Sequence, residues 1–443
     1  MARFGGVFWR VSSLSSSGTI VTAVTALVVS IALAHSDTTT MTKARPFRIR
    51  TITSFVNLDP SDFDNDASSL EEKINACSRL LRDGESQMVA AGFEVQTVRI
   101  ATNPFGDWIV TKEKDAVNKR LNILNNLLSD CDINFCSLGP SYDPKHTTTI
   151  CPEVVSIAPG RFSCSANINA GDVTAALAAA KCIKTISLKD DGKHLEGGLG
   201  NFRFCAASCI DTVPFFPGAK APKDLGIDDI AFAVGLENGG FARELLTEAG
   251  SIENVQNVFH DKMRKELLPI QQMCEGLESD GIQYLGIDTS LNPSLDEGGS
   301  VAEAIECLDE VNTFGNPGTM AAAAAVTTSL QSIPGIKTTG YSGLMMPVLE
   351  DRRLAEVDKL TIQKLLCISS VCGVGIDTVP IPGDVSEKSL ASLILDVAAL
   401  ACRWNKPLSC RVFPVPNRLP GMRTAFDSPY MCNSSVFPVE DCL

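Results

Sequence analysis

The chain has 443 residues, of which 44% are hydrophobic and 20% charged, and a net charge of −14 at neutral pH. That composition builds a large globular core and excludes an intrinsically disordered chain. The acid excess turns away nucleic acid and anionic membrane surfaces as main partners, while local basic groups remain able to hold a small anion.

Residues 1–36 contain Arg3 and Arg10, no acid, and an apolar run over 19–34 that ends in Ala32-Leu33-Ala34. A basic start, a short apolar stretch and a small-residue site resemble a secretory signal peptide, and the run is too short for a stable membrane span. The sequence therefore predicts a targeting segment and leader over 1–47, cut near Ala34, and a place in the secretory pathway or outside the cell. An organellar transit peptide and a cytoplasmic start at Met41 are the alternatives. Asn433-Ser434-Ser435 is a lone glycosylation sequon.

From there strand-like and helix-like segments alternate. Residues 49–57 read as a strand, and a helix over 70–91 follows, opened by the capping box Ser69-x-x-Glu72. A strand over 93–101, a helix over 114–128 with its apolar face at Leu121, Ile123, Leu124, Leu127 and Leu128, and strands over 132–138 and 162–168 come next. An Ala-rich helix is predicted at 173–183, strands at 202–208 and 230–236, and one long amphipathic helix at 252–277. A strand over 284–290, helices from Val301 and over 321–330, and a strand over 408–415 complete the series. This alternation predicts one large α/β domain over 48–416, either a barrel or a doubly wound sheet wrapped by helices. The Pro- and Asn-rich stretch 417–443 is expected as a terminal loop with little core. The small side chains of the 321–330 helix predict close packing, with a second subunit of a homo-oligomer as one option.

The densest local signal is Val371 to Asp384, where an apolar helical run stops at Gly373 and Gly375, and Pro380, Pro382 and Gly383 end a short extended segment. Such breaks let backbone approach backbone and set Asp377 and Asp384 at element ends, as binding groups or as helix caps. The 16 cysteines show no zinc spacing, and Cys372 reads as a buried thiol in preference to a nucleophile because no histidine stands near it. His35, His146, His194 and His260 are scattered, so no histidine-based triad or zinc motif assembles. Gly-Gly-Leu-Gly at 197–200 precedes a strand, the wrong context for a nucleotide loop.

Several blocks carry a family resemblance. They are Gly286-Ile287-Asp288-Thr289-Ser290-Leu291 with Pro293, Gly299-Ser300-Val301-Ala302, and Gly315-x-x-Gly318-Thr319. Tyr341-Ser342-Gly343-Leu344, Pro347-Val348-x-Glu350-Asp351, the stretch from Cys372 to Asp384, and Arg411-Val412-Phe413-Pro414-Val415-Pro416 continue the series. Weaker blocks lie at Arg50-Thr51-Ile52-Thr53 and around Arg99 with Pro104. In this order the blocks resemble domain-of-unknown-function family 711, also called uncharacterised protein family 0210, over roughly 48–416. The resemblance implies a large barrel-like domain similar to that of pyruvate formate-lyase and other glycyl radical enzymes, and it implies no activity. Radical enzymes carry a glycine in an Arg-Val-x-Gly segment, whereas here Arg411-Val412 leads into Phe413-Pro414, so a radical mechanism is not expected. Histidines expected before Gly318 and ahead of the Ser342-Gly343 turn are also replaced, by Pro317 and by Thr or Gly.

The shared polar residues define the candidate site. Asp288, Glu350, Asp351 and Asp377 are the catalytic candidates, able to act as a general base or to bind a hard divalent cation such as Mg²⁺; helix capping and solvated turns are the alternative. Arg50, Arg99 and Arg411 lie in or beside apolar strands, where a guanidinium needs either a buried carboxylate or a bound anion. With Ser290, Thr319 and Ser342 they form the ligand-binding candidates. The expected function is a non-radical enzyme acting on a small anionic metabolite in a barrel mouth, the alternative being a ligand-sensing or scaffold protein without catalysis.

Overall fold

The structure is a computed structural model that describes residues 45–110 and 116–439. The expected targeting segment, with Ala34 and Met41, lies outside the described residues. From Arg45 onward the chain is one compact unit.

Its centre is a nine-stranded mixed sheet made of β1 (Arg48–Val56), β2 (Val98–Thr102), β3 (Phe135–Ser141), β4 (Phe162–Asn167), β5 (Phe204–Ser208), β6 (Ile230–Glu237), β7 (Ile282–Asp288), β8 (Gly375–Pro382) and β9 (Leu408–Val415). The order is β7-β6-β1-β2-β3-β4-β5-β9-β8. Strands β1 to β5 run parallel, β6 and β9 join them antiparallel at either side, and β7 and β8 lie parallel to β6 and β9.

Period-two alternation sorts the strand residues between two cores. On β6, Phe232, Val234 and Leu236 enter the large core shared with the helices, and Ala231 and Ala233 face the other way into a smaller one. Helices Ser68–Ala90, Val173–Ser187 and Glu387–Trp404 pack on the outer face. Among the described residues, no helix contributes a side chain to this smaller core. The segment 209–222 lies there instead, pinned where Thr53 Oγ1 donates to the Pro214 carbonyl at 2.7 Å, Ser137 Oγ to that of Ala219 at 2.7 Å, and the Ala221 N–H to Thr102 at 2.9 Å. The small inward residues make room for it. A Cβ on Gly235 would come within 2.6 Å of the Phe215 ring.

The expected barrel is corrected to an open sheet, because the edge strands β7 and β8 do not pair with each other. The segment 338–347 spans the gap, and its backbone pairing along the two edges is limited to isolated bridges, Ile287 to Thr338, Leu291 to Leu344, and Pro347 to Asp377. The reason lies in its backbone. Gly340 and Ser342 take positive φ, and Pro347 has no N–H, so a continuous ladder cannot form there.

Other expectations shift locally. The long helix expected over 252–277 is interrupted by a π-turn at Phe259–Met263, between Val255–Val258 and Arg264–Glu275. Ser69 does not cap its helix but donates to Asp62 Oδ1 at 2.6 Å. Helix Gly239–Ala249 was hidden behind its two leading glycines. The Ala-rich helix Thr319–Gln331 buries Ala322, Ala323, Val326 and Leu330 in the chain's own core. The C-terminal segment holds more core than expected. Met431 and Val436 pack with Leu349 and Phe413, while the N–H groups of Cys432 and Phe437 reach the carbonyls of Leu349 and Pro380, each at 2.8 Å.

The β8–β9 pairing depends on Gly375, whose φ is +98° and whose Cβ position lies 2.2 Å from the Ser409 carbonyl oxygen. Gly375→Ala should therefore cost about 2–4 kcal/mol from backbone strain and overpacking together. Denaturant titration measures it; an unchanged midpoint would contradict this pairing.

Candidate functional site

The inner face of the sheet, segment 209–222 and the bridging segment 338–347 enclose a cavity of about 100 Å³. Strand parity brings charge to it. On β2, Val98 and Ile100 point to the helices, so Arg99 and Ala101 point inward. On β9, Cys410 and Val412 enter the outer core and Arg411 faces the cavity. Asp377 of β8, Glu350 beyond the bridging segment, Arg50 of β1 and Arg203 just ahead of β5 complete the charged lining. Phe135, Phe202, Phe215, Phe216, Tyr341 and Tyr430 supply the apolar walls.

Arg411 is the hub. Its Nε and Nη2 donate to Asp377 Oδ1 and Oδ2 at 2.6 and 3.1 Å, a two-pronged pairing, and Nη2 also donates to Glu350 Oε1 at 2.8 Å. Burial works against the Arg411 charge, but Asp377 and Glu350 outweigh it and hold the guanidinium above its usual range. Arg50 pairs with Glu237 at 2.9 Å, donates to Gln96 Oε1 at 3.0 Å, and stands 3.9 Å from Glu350. Burial pushes the Glu350 carboxyl above the ordinary glutamate range. The Asp377 charge adds to that, and Arg411, Arg50 and Arg99 oppose it.

Arg99 is different. It is 8% exposed, donates from Nε to Thr97 Oγ1 at 2.9 Å, and stacks between the rings of Phe135 and Phe216, 5.2 Å from each centroid. Among the described residues no carboxylate lies within ion-pair distance of Arg99 or of Arg203. Burial, reinforced by the charges of Arg50 and Arg203, pulls Arg99 well below the usual arginine range. Arg203 sits over Phe135 at 5.1 Å and Phe202 at 5.7 Å, and burial lowers it to about 10. Four arginines against two carboxylates leave the lining with a surplus of positive charge, in a chain whose net charge is −14.

The structure thus brings Glu350, Asp377, Arg50, Arg99 and Arg411 together and leaves the other candidates outside. Asp288 accepts from Ser290 N–H and Oγ and from the Tyr341 and Ser342 N–H groups, which fixes the bridging segment to β7. Ser290 Oγ in turn accepts from the Gly343 N–H, and Ser342 Oγ donates to the Thr339 carbonyl. Asp351 caps helix Val301–Ile305, accepting from Val301 and Ala302 N–H, from Ser300 Oγ and from Leu354 N–H. Thr319 Oγ1 accepts from the Gly315 N–H. Asp384 is exposed away from the cavity. Cys372 is buried, its thiol raised to about 11 by desolvation, and Lys406 Nζ donates to its carbonyl. These are structural bonds.

Sequence reasoning missed Arg203, Tyr341 and Tyr430. Arg203 satisfies the same criterion that singled out the other arginines, a guanidinium abutting an apolar strand. Tyr341 stood in a family block but carried no signal of its own, and Tyr430 carried none, since only folding lays the C-terminal segment over the cavity. A divalent cation fits this donor set poorly, because Arg411 already occupies oxygens of both lining carboxylates.

The family model described as Uncharacterised ACR (DUF711) matches residues 40–428. A UPF0210 protein of Methanopyrus kandleri is 30% identical over an alignment covering 48% of this chain and 48% of that protein, so this match spans about half the length of the relative. The UPF0210 proteins of Pyrobaculum islandicum and Oenococcus oeni are each 26% identical, over 85% and 87% of this chain and 87% and 90% of their own lengths.

Two predictions follow from the charges. Arg411→Met strands two buried carboxylates and should cost about 3–5 kcal/mol, whereas Arg99→Met breaks no ion pair and should change stability by about 1 kcal/mol or less. Equal losses in paired denaturation curves would contradict the different roles. For Glu350, the folded chain holds its proton more tightly than the unfolded chain. Its contribution is fully present below the unfolded value near about 4.3 and is lost as pH rises through the raised folded value. Wild type should therefore lose stability relative to Glu350→Gln across that window, measured as the difference in melting temperature against pH; a flat difference would refute it.

Proposed function

The chain belongs to the uncharacterised DUF711 family, and from the geometry of its cavity we propose that it binds a small organic anion there. The observation that carries this reading is the pair of guanidiniums, buried Arg99 and half-buried Arg203, that among the described residues have no carboxylate partner in a lining of surplus positive charge. A carboxylate or phosphate group on these two arginines would relieve the cost of burying them. Phe135, Phe202 and Phe216 would take the ligand's carbon skeleton, and the cavity volume limits that skeleton to a few heavy atoms.

Glu350 is the group suited to chemistry. Its raised proton affinity and its place beside Arg411 and Arg50 let it exchange a proton with a bound anion, as a general acid or base does. Asp377, held at both oxygens by Arg411, serves as the anchor that orients the guanidinium. The reading is a non-radical enzyme. In the Arg-Val-x-Gly segment the radical glycine would stand at position 414, which is Pro414 in this chain.

The test is to titrate the full chain with a panel of small carboxylates and phosphates by calorimetry. Wild type should bind at least one of them, and Arg99→Met should weaken that binding about 10- to 100-fold, the worth of a charge-assisted hydrogen bond, with the melting temperature nearly unchanged. No binding by wild type, or undiminished binding by the variant, would remove the proposal. Turnover of the bound compound that Glu350→Gln abolishes would mark an enzyme; release of the compound unaltered would mark a ligand sensor.

A further inference from the structure

A second cavity, of about 560 Å³, opens at the carboxyl ends of β1, β2 and β3, on the far side of segment 209–222 from the first. Asn57 and Asp59 follow β1, Asn103 and Asp107 follow β2, and Tyr142 follows β3. Ligands of open α/β sheets gather in this place, because strand ends present turns and free backbone groups without a packed helix above them. The opposite wall is the end of the segment itself, where Lys220 lines the cavity.

Lys220 is 4% exposed, and among the described residues its Nζ has no hydrogen-bond or ion-pair partner. Its backbone is held on both flanks, by Ser137 Oγ on the Ala219 carbonyl and by the Ala221 N–H on Thr102, so the side chain is set in place by the fold. A buried lysine that serves only structure is expected to meet a carboxylate or a row of carbonyls. Asp211 and Lys223 act on this amine only at a distance, and burial holds it below the usual lysine range, with Lys223 adding and Asp211 opposing.

We propose that Lys220 is a nucleophilic amine and that this cavity takes a small neutral carbonyl compound, an aldehyde or ketone. A lysine sunk in a cavity wall with no carboxylate at ion-pair distance among the described residues holds a proton less readily than a solvated one, which favours the lone pair that a nucleophile needs. Neutrality of the ligand follows from the lining, because with the Lys220 amine uncharged it sets Asp59 and Asp107 against Lys223 alone and offers an anion no surplus of positive charge. The lone pair attacks the carbonyl carbon, the carbonyl oxygen takes up a proton, and the carbinolamine loses that oxygen as water. The C=O bond and both amine protons are replaced by a C=N bond and one water molecule. No oxidant or reductant is consumed.

The experiment uses the full wild-type chain with limiting propanal and cyanoborohydride at neutral pH, followed by peptide mapping. The hydride traps the imine as a secondary amine on whichever lysine formed it. Lys220 should be labelled faster than exposed Lys223, because lowered proton affinity leaves more of its amine neutral. Lys220→Arg should remove that fast phase and leave the slow surface labelling intact. Labelling of Lys220 no faster than that of Lys223, or none, overturns the proposal. Since the measurement is on the wild-type chain and a different cavity, its failure would leave the anion reading of the first cavity untouched.

Discussion

A guanidinium sunk in a protein must be answered by charge, and Arg411 is answered twice. By gripping Asp377 on β8 and Glu350 on the strap beyond Pro347, it ties β9, β8 and the bridging segment to one point. Leaving any one of the three uncompensated in that dry space is expensive, so the group folds together or not at all. Everything that gives the first cavity its character depends on this knot. It positions Glu350, it neutralises the two carboxylates, and it thereby leaves the charges of Arg99 and Arg203 unanswered.

The second constraint is steric. An inner sheet face lined by Ala101, Ala231, Ala233 and Gly235 has too little side-chain volume to fill itself, and segment 209–222 supplies the missing volume with Val213, Phe215 and Ala219. The same segment divides the interior. Phe215 to Gly218 face the arginine cavity, and Lys220 to Leu225 face the cavity at the strand ends. One stretch of backbone, hydrogen-bonded to β1, β2 and β3, thus shapes two cavities of different chemistry, one with a surplus of arginines and one in which Lys220 and Lys223 stand with Asp59 and Asp107.

The open edge between β7 and β8 shows how local backbone chemistry limits a larger architecture. Asp288 collects the N–H groups of Tyr341 and Ser342, which would otherwise be free to join a ladder, and turns the segment into a buttress. It acts on the site through structure, since Tyr341 lines the cavity and is carried on that turn.

Much of the fold was legible because strands and helices write their periods locally. The parity of Arg99 between Val98 and Ile100, or of Arg411 between Cys410 and Val412, could be read as a charge on one face of a strand. Family motifs likewise marked Glu350 and Asp377. What no local pattern carried was the partner of each charge. Asp288 and Asp351 look the same as Asp377 in sequence, acids beside glycines and prolines, yet two became caps and one became an ion pair. The difference is set by which backbone N–H groups or guanidinium arrive from elements 34 to 54 residues away in the chain. The chain by itself determined the alternation of elements, the family, and a set of charges that must be buried. Only the tertiary structure decided which of those charges pair with a carboxylate and which do not, because ion pairing falls off with distance in space and ignores distance along the chain.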